Sequence, residues 1–303
     1  MNIVLGVCTY RRPDGLAKLL NSLPALEGDN RLTVVVADND AAGEGKAVCD
    51  ALAADYPFDV HAFIQATSGI SAIRNAVALK ALSFDPDVVA FLDDDEWPEP
   101  QWLAELLRIL KEHDADVVGG PTLPEFPESA DQALRNNPYY GADLQLADGS
   151  ACQLQAGGNF LIKACVLARY SPAFFHENFA HTGSEDLAFF TQLGRDGYRM
   201  FWAANATVYE PVPDARLAPG WLKQRVINIH NSRVRVMQHL QPSIGSACVR
   251  LVKTAALTAA VAAYSALALL VPSRKGEAQL LRWKLIGKLT AHAGRDIKRG
   301  ETY

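Results

Sequence analysis

Short apolar runs that end in polar residues, two of them in acids, with stretches of helical period between them, constrain this chain more than any other feature. The clearest case is VVAFLDDDEWPEPQWL, residues 88–103. Residues 88–92 read as a buried strand of a parallel sheet. The run ends in Asp93, Asp94, Asp95 and Glu96, and Pro98 and Pro100 are expected to stop regular pairing. Adjacent carboxylates repel one another and need an offsetting charge. At the carboxyl end of a parallel strand, where open α/β sheets bind ligands, a divalent cation can supply it. An extended backbone would turn Asp93 and Asp95 to one side and Asp94 to the other. That is a D-x-D pair able to hold a hard metal together with phosphate oxygens. A solvated acidic turn is the alternative, and the buried strand before it and the prolines after it favour the ligand site.

The same rhythm begins at the first residues. Residues 3–7 form an apolar strand with CTYRRPDG as its exit loop, and Leu16, Leu19, Leu20 and Leu23 then recur at helical spacing until Pro24. LTVVVADND, residues 32–40, is a second strand ending in acids. A helix over 46–54, a third strand over 60–64, and a loop and helix within TSGISAIRNAVALKAL follow. After the fourth strand come a helix over 102–113 and a fifth strand over 116–119. Alternating strands and helices predict a doubly wound, mostly parallel sheet with ligands at its carboxyl edge. Beyond Gly120 the chain becomes irregular. GGNFLIKACVLARY reads as a strand and short helix, Leu187, Phe190 and Leu193 as a helix face stopped by Gly197, and YRMFWAANATVYE as a strand pair.

The 303 residues fit one α/β domain of ~210–250 residues with an appendage. The five cysteines are scattered without a C-x-x-C, which argues against a disulfide framework or zinc site and for a reducing compartment. MNIVLGVCTYRRP lacks the basic segment and apolar run of a leader and reads as a strand. The net charge of −5 hides a split: residues 216–303 hold 15 of the 29 Lys+Arg but 3 of the 34 Asp+Glu. The basic part therefore faces an anionic surface, and lipid fits better than nucleic acid because residues 255–271 are uncharged and largely apolar. As a single span, that run would carry eight Lys+Arg to the non-cytoplasmic side. A helix lying in the cytoplasmic leaflet is expected instead, with a buried core or oligomer-interface helix as the alternative.

Six motifs, CTYRRP, VVADND, GISAIRN, FLDDDEWP, GGNFLI and TGSEDLAFFTQLGRDGY, occur in this order over residues 2–213. Together they resemble the family 2 glycosyltransferases of GT-A fold. With ATVYEPVP the combination is similar to bacterial exopolysaccharide enzymes of the succinoglycan type. The resemblance implies that Thr9 and Arg11 contact the nucleotide, that Asp38 hydrogen-bonds its uracil or ribose, and that Gly69 and Arg74 lie by the diphosphate. It implies that Asp93 and Asp95 bind Mg2+ or Mn2+, with Asp93 and Asp94 also touching the donor, and that Asp186, beside Glu185, is the general base. Several relatives complete the metal site with a histidine after the strand that follows the ED helix; here Glu210 stands there, as a third oxygen ligand or as a loop acid.

Elementary chemistry supports these roles. Charge grows on a departing nucleoside diphosphate, where a metal or an arginine stabilises it. The acceptor hydroxyl must lose its proton as it attacks from the opposite face, so a single base gives inversion. Other readings stand beside these. Thr182-x-x-Glu185 reads as a capping box, Asp38 as a turn residue and Arg74 as a surface helix arginine. Arg225 and Arg233 either close over the diphosphate or form a solvated basic face.

The expected architecture is a GT-A-type sheet flanked by helices over residues 1–215, with a nucleotide-binding half 1–120 and an acceptor half 121–215. A basic, membrane-associating helical region, 216–303, follows. The expected activity is inverting transfer of a hexose from a nucleotide sugar, a UDP-sugar, to a lipid-linked or growing polysaccharide acceptor at the cytoplasmic membrane face. The rivals are a nucleotidyltransferase, for which residues 8–15 lack a glycine-rich triphosphate loop with lysine, and a non-catalytic sugar-nucleotide-binding subunit.

Overall fold

A computed structural model describes residues 1–28, 31–52, 55–140, 146–218, 220–295 and 297. They fall into two compact units, one of Met1–His181 with Glu185–Val212 and one of Thr182–Ser184 with Pro213–Thr302.

The first unit opens with strands β1 (Asn2–Thr9), β2 (Arg31–Asp38), β3 (Asp59–Ile64) and β4 (Val88–Asp93). Helices α1 (Pro13–Ser22), α2 (Glu44–Asp50) and α3 (Ile70–Leu82) connect them. The strands pair in parallel in the order β3-β2-β1-β4. Both faces of this sheet are covered, which is why its strands read as continuous apolar runs. Leu16, Leu19 and Leu20 of α1 pack on Ile3, Leu5 and Val7. On the other face Ile73, Val77 and Ala81 of α3 pack on Val4, Val35 and Val89. Residues 53–54, the expected end of the second helix, lie outside the described residues.

The chain continues through β5 (Trp97–Pro98), α4 (Trp102–Glu112), β6 (Val117–Gly119), β7 (Thr122–Glu125), α5 (Gln132–Arg135), β8 (Phe160–Lys163) and α6 (Ala164–Leu167). Then come α7 (Glu185–Arg195), β9 (Met200–Trp202) and β10 (Val208–Pro211). The large sheet extends as β4-β8-β6-β9, with β8 antiparallel to both neighbours. Two expectations are corrected. Pro98 does pair: β5 is the edge of a second sheet, order β5-β10-β7, where a missing N–H costs no ladder bond. YRMFWAANATVYE gives two strands that do not pair with each other, because β9 adds to the large sheet and β10 to the small one.

Asn159, just before β8, ties these layers together. Its Oδ1 accepts from Trp102 Nε1 at 2.7 Å, and its Nδ2 donates to the carbonyls of Pro121 and Ala206 at 3.1 and 2.8 Å. All this lies in a buried setting.

The second unit is helical: α8 (Asp214–Leu217), α9 (Trp221–Leu240), α10 (Ile244–Leu270) and α11 (Lys275–His292). Gly287 lets α11 approach α9 so closely that a Cβ there would meet the Ile227 carbonyl and the Asn231 backbone. Asn231 then donates to Thr290 Oγ1 and the Arg295 carbonyl, both at 3.1 Å. The apolar run is part of one 27-residue helix that starts well before residue 255 and includes Arg250 and Lys253. Only Thr254 and Ala268 of α10 are buried, so it is not a core helix of this chain.

Replacing Asn159 with Leu strands the Trp102 N–H and two carbonyls away from water. Urea unfolding is expected to show a loss of about 2–4 kcal/mol.

Candidate active site

The acidic run leaves β4 as a turn and not as an extended strand. The Glu96 N–H donates to the Asp93 carbonyl at 3.1 Å, and the Asp93 N–H donates to Glu96 Oε2 at 3.0 Å. This corrects the expected alternation, because closing the turn brings Asp94 and Asp95 to one side. A single guanidinium nitrogen of Arg12 donates to Asp94 Oδ1 at 3.0 Å and to Asp95 Oδ2 at 2.7 Å. Asp93 instead turns to Arg74, whose Nη2 donates to its Oδ1 at 2.9 Å.

Arg74 is 6% exposed and holds the site together. Its Nη1 donates to the Gly157 carbonyl at 2.8 Å, and its Nε faces Glu185 Oε1 at 3.4 Å. The surface-arginine reading of Arg74 is therefore overturned. Gly157 in turn donates its N–H to Asp186 Oδ2 at 3.0 Å, and Leu187 N–H donates to Asp186 Oδ1 at 2.7 Å. A Cβ on Gly157 would collide with Arg74 Nη1, and one on Gly158 with the Glu96 carboxylate. The GG pair is thus required because backbone threads between the acidic turn and the first turn of α7.

Glu185 is the first residue of α7, and Gly183 and Ser184 precede it with φ of +72° and +74°. Thr182 therefore cannot be the N-cap, and the capping-box reading fails. Glu185 is buried as the counter-charge of Arg74, while Asp186 is half-buried and held by two backbone donors.

At the adjoining strand ends, Thr9 is buried and donates its hydroxyl to Asp94 Oδ2 at 2.8 Å. Asp38 is buried and accepts from the N–H groups of Asp40 and Lys46 at 2.9 and 3.0 Å. Arg11 is exposed with φ +54° and donates to Asp40 at 3.0 Å. Gly69 precedes α3 with φ +116°, and a Cβ there would press on Ala180. Glu210 lies on β10. Burial first, then the charge of Glu210, push the Asp95 carboxyl up to about 7. Burial and the nearby charges of Asp93, Glu210 and Asp95 raise Glu96 well above the usual carboxylate range.

The structure thus gathers Asp93, Asp94, Asp95, Arg74, Glu185 and Asp186 into one connected set, with Thr9 attached through Asp94. Arg11 and Asp38 lie at the neighbouring strand ends, where Arg11 donates to Asp40 and Asp38 accepts from the Asp40 and Lys46 N–H groups. Arg12 and Gly157 were missed in the sequence. Arg12 sits next to a flagged residue, and its significance appears only when the turn brings two carboxylates to it. Among the described residues no three His, Cys, Asp or Glu side chains form a closed metal cage. The donor set nevertheless suits a hard cation: burial first, and then neighbouring carboxylates, raise the proton affinity of Asp95 and Glu96. Magnesium-type sites commonly use one or two carboxylates and complete themselves with phosphate oxygens.

A family model described as glycosyl transferase family 2 matches residues 5–170. The succinoglycan biosynthesis protein ExoM of Rhizobium meliloti (strain 1021) is 33% identical over 235 residues, 74% of this chain and 72% of that protein. The chain belongs to glycosyltransferase family 2. Among solved structures, it is similar to the mannosyltransferase PcManGT from Pyrobaculum calidifontis in complex with GDP-Man and Mn2+. The TM-score is 0.66 at 16% identity, over 96% of this chain and 87% of that one. S. aureus TarS 1–349 in complex with UDP-GlcNAc gives a TM-score of 0.56 at 13% identity, over 97% and 93%. The fold is accordingly GT-A-like, a mixed α/β sheet flanked by helices. The family match ends before Asp186 and Glu210, so the argument for those two rests on geometry.

Arg74→Met is expected to leave Glu185 buried without its counter-charge and to lower stability by about 3–5 kcal/mol in chemical denaturation. Arg74→Met/Glu185→Gln should regain most of that loss.

Proposed function

We propose that this family 2 enzyme is an inverting, metal-dependent hexosyltransferase that uses a nucleotide sugar, a UDP-sugar, in cell-surface polysaccharide synthesis. One observation carries the reading. Arg74 joins the acidic end of β4 to the first turn of α7, so a diphosphate site and a base candidate share one sheet edge. The relatives add support: one is a succinoglycan biosynthesis protein, and two fold neighbours were solved with GDP-Man and Mn2+ or with UDP-GlcNAc.

In this reading residues 1–215 are the transferase domain. Asp38, Thr9 and Arg11 receive the nucleoside, with Asp38 fixed by backbone donors and Thr9 bracing Asp94. Gly69, whose φ of +116° turns the chain into α3, is assigned to donor binding. Asp95 would hold Mg2+ or Mn2+ with Glu210 beside it as a further carboxylate, and Asp93 would join them by giving up its bond to Arg74. Bound there, the ion supplies Lewis-acid stabilisation of the leaving diphosphate. Arg74 adds a fixed positive charge beside the same oxygens. Arg12, which pairs with Asp94 and Asp95, is released to the diphosphate as the donor binds. Asp186 takes the proton of the acceptor hydroxyl as its oxygen attacks the anomeric carbon and the bond to the diphosphate breaks on the opposite face. Gly157 and Leu187 hold that carboxylate in place.

The basic helical residues 216–303 bring the enzyme to the cytoplasmic face of the plasma membrane, where a lipid-linked saccharide is the acceptor. Exposed Leu251, Val252, Leu269 and Leu270 of α10, on a helix long and apolar enough to cross a membrane, support this. Anionic lipid adds attraction for the Lys and Arg side chains.

The test is turnover of UDP-, GDP- and dTDP-hexoses by purified protein with a lipid-linked acceptor and Mn2+. Asp186→Asn is expected to lower kcat by about 10²-fold or more while leaving donor KM within a few-fold. The product anomer, read by proton NMR, should be inverted. Undiminished transfer by Asp186→Asn, or a retained anomer, contradicts the assignment.

A further inference from the structure

The helical unit carries a cavity of about 710 Å³ that the transfer reaction does not use. Helices α9 and α10 are joined by the short connection 241–243 and each packs on α11, and Met237, Gln241, Gly245 and Val249 near that connection line the cavity. Val234, Met237 and Val249 give the cavity an apolar lining. Arg233, Arg250, Lys253 and Lys288 supply cations from three helices, with His230 beside them.

Among the described residues no acidic side chain lines the cavity, and none can come from α9 or α10, because no Asp or Glu occurs between Asp214 and Glu277. The cations therefore crowd one another. Burial, then Arg233, Lys284 and Lys288, push His230 down to about 4. Burial, then Lys253, Arg233 and Lys284, lower Lys288 from its usual value. Burial, Arg250 and Lys288 do the same to His292. A site that makes its own positive charges costly is relieved by an anion.

The cavity is also braced. Arg250 donates to the carbonyls of Met237 and Gln241 at 3.2 and 2.9 Å, which fixes its guanidinium at the α9–α10 junction. Thr254 Oγ1 meets His292 Nε2 at 3.1 Å, tying α10 to α11. Ser243, Gly245 and Ser246 bring the N-terminus of the 27-residue α10 to the cavity wall, where the helix dipole favours negative charge.

We propose that this cavity binds the phosphate headgroup of a membrane lipid, with the phosphate among Arg233, Arg250, Lys253 and Lys288 and the glycerol or alkyl end on the apolar lining. Two features select a lipid over free phosphate. Val234, Met237 and Val249 make part of the lining apolar, and α10 exposes Ile244, Leu251 and Val252, at 84%, 55% and 68%, close in sequence to the cations. An amphiphile satisfies both surfaces, whereas an inorganic anion satisfies one. The inference rests on the reading that α10 meets a membrane, and it adds a defined site to a general attraction.

The experiment is co-sedimentation of the full chain with phosphatidylcholine vesicles, with and without phosphatidic acid. It compares Lys253→Ala/Lys288→Ala, inside the cavity, with Arg274→Ala/Lys275→Ala, which removes equal charge outside it. Circular dichroism and donor hydrolysis check that both variants stay folded. The cavity pair should weaken binding to the phosphatidic acid vesicles by about tenfold or more, and the outer pair by less than about threefold. Equal losses overturn the proposal and leave only general electrostatic attraction. Inorganic pyrophosphate that competes as strongly as the lipid overturns the choice of a lipid. Wild-type protein indifferent to all vesicles overturns the membrane reading itself, whereas binding without discrimination between the pairs sinks the cavity site alone.

Discussion

One buried guanidinium organises the catalytic unit. Arg74 neutralises Asp93 on one side and Glu185 on the other, and its remaining donor satisfies the Gly157 carbonyl. A buried ion pair seldom adds much stability over an apolar replacement, but losing one member leaves a charge that the interior cannot solvate. The arrangement therefore serves position more than stability. It fixes the end of β4, the 157–158 backbone and the first turn of α7 relative to one another. Those are the three pieces that the proposed diphosphate site and the proposed base are built from. Asp186 reaches its place because its neighbour Glu185 is anchored, and the two acids of one pair thereby acquire different roles.

The acidic turn follows the same electrostatic logic. Four consecutive acids end a fully buried strand, and the turn distributes them: Asp93 to Arg74, Asp94 and Asp95 to Arg12, and Glu96 inward to the Asp93 N–H and the Thr122 hydroxyl. The compensation is incomplete. Asp95 and Glu96 both hold protons more tightly than ordinary carboxyls, with Glu210 contributing from β10. A cation-hungry cluster at a sheet edge lined by Thr9 and Asp38 is a chemically consistent place for a metal–diphosphate pair. The helical unit presents the opposite imbalance, a cavity whose described lining holds four Lys and Arg side chains and no acid, beside a helix that leaves apolar side chains exposed. The two halves of the charge split thus suit different partners.

Much of the fold was legible because buried parallel strands advertise themselves. Residues 3–7, 60–64 and 88–92 lie within observed strands, the expected strand 32–40 overruns β2 by two residues, and the acidic ends of β2 and β4 mark the sheet edge of the candidate site. What stayed hidden depends on contacts between distant segments. The extended reading of DDD ignored that the Glu96 N–H can close a turn on Asp93, which rearranged the acids. Pro98 was read as a stop, although an edge strand tolerates it. Arg12 was passed over for Arg11, since nothing local distinguishes the arginine that meets two carboxylates from the exposed one that pairs with Asp40. The capping box failed on the positive φ of Gly183 and Ser184, which spacing alone does not reveal. The length of α10 was underestimated because Arg250 and Lys253 looked like its flanks and are part of the helix.

The central claim is that the acidic turn receives a metal-bound nucleoside diphosphate. Isothermal titration of the purified chain with UDP, in Mn2+ and in EDTA, tests it most directly. The account predicts binding at least about tenfold tighter with Mn2+, an advantage that Asp93→Asn/Asp95→Asn removes. Equal affinity in EDTA and Mn2+, or an undiminished Mn2+ effect in the double variant, would contradict it.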